Sequence, residues 1–255
     1  MLRNLTALAV PTAAIAALLS SNACAAADSM VNFNSKGVSF SYPMSMGGKF
    51  SSKKVPAFPL PSPDEKPDDV APAHWEITFG TSNGHIYVYP TSDAKVKNFK
   101  AAYPTNATAT KDLATLLKIK TAAPKNIPYL PWQDASTPIN SHVKYLKFKN
   151  GSGVRYLATY QIEPEVVSND GLVYSMQGLS TDVKFYVSAL IPVKSKTLPE
   201  KSDASSWKKE KYDAFSKDFA QYSKTEEAKL NKVADNAFTP PLADLDKLIE
   251  SISVQ

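Results

Sequence analysis

Apolar and polar positions alternate most clearly between Val143 and Val193, and the pattern predicts two consecutive β-hairpins there. In the first, over residues 143–160, a three-residue loop at 151–153 pairs Asn150 with Val154. Leu146, Phe148, Tyr156 and Ala158 then share one face, with Gly153 supplying the left-handed turn position. In the second, over residues 171–193, a turn at Thr181-Asp182 pairs Ser180 with Val183. Leu172 then meets Ile191, Tyr174 meets Ala189 and Met176 meets Val187 across an apolar face. The same register sets Gln177 opposite Tyr186. The other face, with Val173, Leu179 and Leu190, is half apolar, which predicts cover on both sides of the sheet.

The rest of the chain supplies further strands and the covering helices. Residues 38–42 alternate as a strand until Pro43. Residues 44–73 follow, with Pro56, Pro59, Pro61, Pro63, Pro67 and Pro72; such density predicts an extended surface excursion, placed at 51–73. Residues 74–79 and 85–89 form a hairpin over Asn83-Gly84, with Phe79 against Val88 and Thr78 against Tyr89. Helices are expected at 93–103 and 111–120, the second burying Leu113, Leu116, Leu117 and Ile119. In the loop 124–138, Leu130 and Trp132 either cover a core edge or line a groove. Helical spacing returns at 205–237, with any break expected at 223–226. After Thr239-Pro240-Pro241 a last helix turns Leu242, Leu245, Leu248 and Ile249 inward. Strands and helices without regular βαβ alternation mean an α+β fold, a central antiparallel sheet flanked by helices.

Composition changes this picture at the N-terminus. Arg3, the apolar stretch from Leu5 to Leu19 and the small residues around Cys24 read as an export signal over residues 1–25, followed by one domain over 26–255. Pro11 and the shortness of the stretch argue against a membrane anchor, and Ser21 stands where lipidation wants an aliphatic residue. Cys24 is the sole cysteine of the 255 residues, so the mature domain is expected to use neither disulfides nor thiol chemistry. A net charge of +5, spread over lysines interleaved with acids, gives no clustered footprint for nucleic acid.

Candidate chemistry is sparse. The three histidines, His74, His85 and His142, are too scattered for a metal centre, and neither a metal nor a cofactor is expected. No Gly-x-Ser-x-Gly elbow is present. Glu163 and Glu165, flanking Pro164, and Asp134 beside Trp132 are the carboxylates a hydrolase would use. Asn150-Gly-Ser152 and Asn106-Ala-Thr108 match the glycosylation pattern of eukaryotic secreted chains. Surface recognition remains. Tyr145, Arg155, Gln177 and Tyr186, with Trp132 leading into them, form an aromatic, hydrogen-bonding set suited to a glycan or peptide, unless a helix covers them.

Tyr129-Leu-Pro131, the run from Lys147 to Leu157, and Tyr174 to Asp182 with Tyr186 to Ala189 are similar to a group of uncharacterised bacterial exported proteins and lipoproteins. The likeness spans Val38 to Leu198. It implies export and carries no activity or catalytic residues. The element order also resembles the PsbP/Mog1-like α/β/α sandwich, whose members are accessory or scaffold proteins. The expectation is an exported, non-enzymatic module of the cell envelope or extracellular space, binding an envelope protein or glycan; a hydrolase acting on envelope polymers is the alternative.

Overall fold

A computed structural model describes residues 29–56, 73–79, 83–91, 106–133 and 135–255. The export signal, most of the proline-rich excursion, the helix expected at 93–103 and Asp134 lie outside the described residues. The strands are β1 (Met30–Ser35), β2 (Val38–Pro43), β3 (Phe50–Val55), β4 (His74–Phe79), β5 (His85–Pro90), β6 (Asn140–Phe148), β7 (Gly151–Ala158), β8 (Val173–Ser180), β9 (Phe185–Pro192), β10 (Lys194–Ser195), β11 (Phe238–Thr239) and β12 (Ser253–Val254). The helices are α1 (Asn106–Ile119), α2 (Lys209–Lys217), α3 (Phe219–Leu230) and α4 (Leu242–Glu250).

Seven strands make one antiparallel sheet in the order β3-β4-β5-β9-β8-β7-β6, and β1-β2-β12 make a smaller one. The fold is α+β, with a buried core on each side of the large sheet. On one side Val38 and Phe40 of β2 and the leucines of α4 pack on Ile77, Ile86, Leu157 and Met176. On the other, Ala109 and Leu113 of α1 and Ile127 and Leu130 of the following loop pack on Val154, Tyr156 and Leu179. These are the α4 face and the α1 face. Double cover is what the half-apolar second face of the central strands requires.

The inward residues of the last helix are as expected: Leu242, Leu245, Leu248 and Ile249 are fully buried. Several boundaries differ. Residues 50–55, partly inside the expected excursion, form the edge strand β3, because the prolines begin only at Pro56. Helix 205–237 breaks at Asp218, whose N–H bonds Ala214 and Phe215 and closes α2, and not at 223–226. Ile119, expected inside, is 66% exposed at the end of α1.

All three hairpins keep the expected strands but change register. In β4–β5, Thr78 pairs with His85 and Trp75 with Val88, so Asn83-Gly84 ends a longer loop. In β8–β9, Met176 pairs with Ala189 and Gln177 with Ser188. The turn lengthens because Ser180 accepts the Phe185 N–H at 3.0 Å and donates to Asp182 at 2.7 Å. Both shifts move the pairing by an even number of residues, so the expected faces survive. In β6–β7 the turn is Lys149-Asn150, with Phe148 opposite Gly151 and Tyr145 opposite Val154. That shift is odd. Leu146 and Phe148 therefore share the α4 face with Arg155 and Leu157, while Tyr156 and Ala158 turn to the α1 face.

The glycines explain the miss. Gly151 and Gly153 are strand residues, not turn residues. A Cβ on Gly151 would lie 2.1 Å from Phe148 Cζ and 2.3 Å from the Leu179 carbonyl oxygen, and one on Gly153 would lie 2.7 Å from the Gln177 carbonyl oxygen. Their job is close approach of neighbouring chains.

Candidate functional site

The five residues expected to form one recognition surface do not share a face. Arg155 is on the α4 face, 1% exposed, inside a charged cluster. Its Nε and Nη2 donate to the two oxygens of Asp246, each at 3.0 Å. Nη1 donates to the His142 carbonyl at 2.6 Å and Nη2 also to Asp235 at 3.1 Å. Asp246, 4% exposed on α4, accepts in addition from Tyr174 Oη at 2.9 Å and Lys144 Nζ at 2.8 Å. Burial pushes the Asp246 carboxyl up, but the Arg155, Lys144 and Tyr174 donors outweigh it and hold its pKa below the ordinary carboxylate value. A β-bulge at His142, with φ +53°, aims that histidine at Asp235 (Nδ1, 3.1 Å) and at the Leu230 carbonyl (Nε2, 2.7 Å). This cluster fixes α3 and α4 to β6 and β7. It is a structural joint, with Arg155 and Asp246 buried and Lys144 and Asp235 at its exposed rim.

Gln177 and Tyr186 lie on the α1 face and do touch: Tyr186 Oη donates to Gln177 Oε1 at 2.9 Å, diagonally across the strands. Both are buried, as the covered-surface alternative required. What covers them is the loop after α1. Gln177 Oε1 also accepts the Leu130 N–H at 3.1 Å, and Ser188 Oγ donates to the Leu130 carbonyl. Gln177 Nε2 donates to Ser175 Oγ at 3.2 Å and Ser188 Oγ at 3.1 Å, so all four hydrogen-bonding positions of the amide are filled. The amide and Ser188 thus give Leu130 the pair of bonds a strand neighbour would give. Tyr160 extends the network to Ser175 (3.1 Å) and Tyr156 (3.3 Å). Burial raises the pKa values of Tyr156 and Tyr186 well above the usual phenol value, keeping them neutral.

Tyr145 is half-buried and donates its hydroxyl to the Thr121 carbonyl at 2.8 Å. Trp132 lines a cavity. A cleft of about 370 Å³ lies between α1 and the loop, walled by Ala109, Asp112, Asn126, Pro128, Tyr129 and Trp132. The loop therefore meets both expectations: Leu130 covers the core, and Trp132 lines a groove. Tyr129 is braced on the Tyr160 ring (centroids 4.9 Å apart) and donates its hydroxyl to the Gln133 and Ala135 carbonyls at 2.9 and 3.0 Å. The cleft thus combines two aromatic rings with an exposed amide and an exposed carboxylate. Asp112 and Asn126 were invisible as site residues in the sequence. Nothing local in the sequence joins position 112 to position 126.

A second aromatic strip was legible in principle from the alternation His85-x-Tyr87-x-Tyr89. His85 and Tyr87 stack at 5.6 Å, and Tyr87 and Tyr89 at 6.0 Å. Glu76 beside them pairs with Lys53 at 2.8 Å and stands 3.0 Å from His85 Nδ1. Burial, and after it the Glu76 charge, push the Tyr87 phenol up to about 12.

Glu163 and Glu165 are exposed, beside the Tyr212 phenol of α2. Among the described residues no three His, Asp or Glu side chains are grouped to hold a metal, and no helix is long and apolar enough to cross a membrane. Asn150 is occupied: its side-chain amide donates to the Val254 carbonyl at 2.6 Å and accepts the Val254 N–H at 3.1 Å. A glycan on Nδ2 would compete with the first of these bonds. No family model, curated protein or solved structure matches the chain.

Proposed function

We propose that the chain is an exported, non-enzymatic binding module of the cell envelope or extracellular space, and that the cleft beside α1 takes a saccharide unit of an envelope glycan. The cleft carries this reading: Tyr129 and Trp132 offer flat apolar faces to the C–H side of a sugar ring, while Asp112 and Asn126 offer acceptors and a donor to its hydroxyls. Its volume of about 370 Å³ suits one or two sugar rings. The loop wall is tied to the sheet through Gln177 and Ser188, so the rings are held in place before any ligand arrives, which lowers the cost of binding. Export rests on the N-terminal pattern of Arg3 and the apolar run from Leu5.

Titration with soluble cell-wall glycan fragments, followed by tryptophan fluorescence, tests the proposal. The expected result is a saturable change that Trp132→Ala abolishes and that Asp112→Asn weakens. No response to any fragment, or one that survives Trp132→Ala, overturns it. The hydrolase alternative has one exposed carboxylate on the described wall of this cleft, Asp112, where a glycosidase uses two. Release of reducing ends, lost on Asp112→Asn or Glu163→Gln, would replace the binding reading with that one.

A further inference from the structure

The other flank of α1 borders a second cleft, of about 550 Å³, between the end of the helix and the turns of the two central hairpins. Its floor is apolar: Ala114 and Leu117 from α1 and Leu179 from β8. Its rim is polar and positive, with Lys147, Lys149, Ser152 and Thr181. The sheet register sets Lys147 and Ser152 side by side. Lys147 pairs with Ser152 and Ser152 with Leu179, so the three stand in one row on the α1 face. The Thr181 N–H bonds the Asn150 carbonyl at 2.8 Å, tying one turn to the other.

These rim groups are unspent. Among the described residues neither lysine makes an ion pair, and neither the Ser152 nor the Thr181 hydroxyl makes a hydrogen bond. The nearby acid is already engaged. Asp182 accepts from Ser180 Oγ at 2.7 Å and from Lys184 N at 3.2 Å, and it pairs with Lys184 Nζ at 3.1 Å. The carbonyl end of α1 opposes an anion, but Lys118 in its last turn and Lys120 just beyond it offset that partial charge.

We propose that this cleft binds a phosphomonoester carried on a small sugar or apolar body. Two ammonium groups and two hydroxyl donors around one mouth match a compact, multiply charged oxyanion. A carboxylate is more often met by the flat fork of an arginine, and lysine serves phosphate as a point charge. The apolar floor accepts the body of the ester, and the volume is that of a small-molecule site. The site is separate from the aromatic cleft and stands or falls without it.

The test is an amide NMR titration of the full chain at low ionic strength with glucose 6-phosphate, inorganic phosphate, acetate and glucose. The ester is expected to shift Ser152 and Thr181 saturably and inorganic phosphate to do so more weakly, with acetate and glucose leaving them in place. Lys147→Ala with Lys149→Ala weakens the ester by about tenfold or more, the two ammonium groups being the positive charges on the rim. Added salt weakens it further, and Trp132→Ala leaves it unchanged. An equal response to acetate, shifts spread over all surface lysines, or no shift at Ser152 and Thr181 with millimolar ester overturns the proposal.

Discussion

The two faces of the large sheet bury polar groups in opposite ways. On the α4 face the cluster is ionic: Arg155, Asp246, Lys144 and Tyr174 join two helices to two strands. On the α1 face it is neutral: Gln177, Ser188, Tyr186 and Ser175 join a loop to the same strands. An ion pair out of water is held by its geometry, and removing one partner leaves a charge with nowhere to go. A neutral network, when one partner is removed, strands a dipole rather than a charge, and the cost is smaller. The ionic side is therefore the brittle one, and the neutral side is where the aromatic cleft sits.

The largest effect should come from Asp246→Ala, which leaves the buried Arg155 guanidinium only the half-exposed Asp235 as a counter-charge; a loss of about 3–5 kcal/mol is expected in urea unfolding. Replacing both partners, Arg155→Met with Asp246→Leu, should recover most of it, and a double variant as unstable as the single one would deny the ionic face its brittleness. On the other face Gln177→Leu leaves the Leu130 N–H without its acceptor and costs about 1–3 kcal/mol, with faster amide exchange over 127–132.

The faces should also part in pH. The Asp246 carboxyl is held below its ordinary value, so its contribution is present above the unfolded pKa of about 4 and is lost as pH falls through the lower folded value. The α1-face tyrosines are raised, so theirs is full below about 10 and is lost as pH rises through the folded values. Tyr174 shares that alkaline limb. Stability measured against pH should show the double Arg155/Asp246 variant losing the Asp246 part of its acid dependence while keeping the alkaline limb. The smallest effect is reserved for Trp132→Ala: stability should move by under about 1 kcal/mol while glycan binding disappears. A large destabilisation would make Trp132 a packing residue.

Element types were legible because side-chain patterning follows elementary periodicity, and the leucines of α4 show it. Register was not, and parity decided what that cost. Even shifts left Ile77, Ile86, Met176 and Ala189 on the expected face; the odd shift in β6–β7 sent Arg155 to the opposite side from Gln177. Asn-Gly-Ser-Gly reads locally as a turn. The reason for Gly151 and Gly153 is the Phe148 ring and the β8 backbone, contacts no local pattern displays. The predicted site split for the same reason: Gln177 and Tyr186 met as expected, but a loop some fifty residues earlier in the chain covers them. Asp112 and Trp132 share a cleft because side chains of the sheet, Gln177, Ser188 and Tyr186 among them, hold that loop in place.

The small sheet has a temporal consequence. β12 pairs with β2, Ser39 against Ser253, and the Ser251 hydroxyl accepts the Ser41 N–H across a separation of 210 residues. Closing so long a loop carries an entropic cost before its contacts give anything back. The hairpins β6–β7 and β8–β9 join residues close in sequence and need no such wait. Assembly is therefore expected to begin in the middle of the chain and to finish where β2 meets β12. Until α4 and β12 have emerged and docked, Val38 and Phe40 of β2 lack part of their core, and a chaperone that holds unfolded chains would find them there.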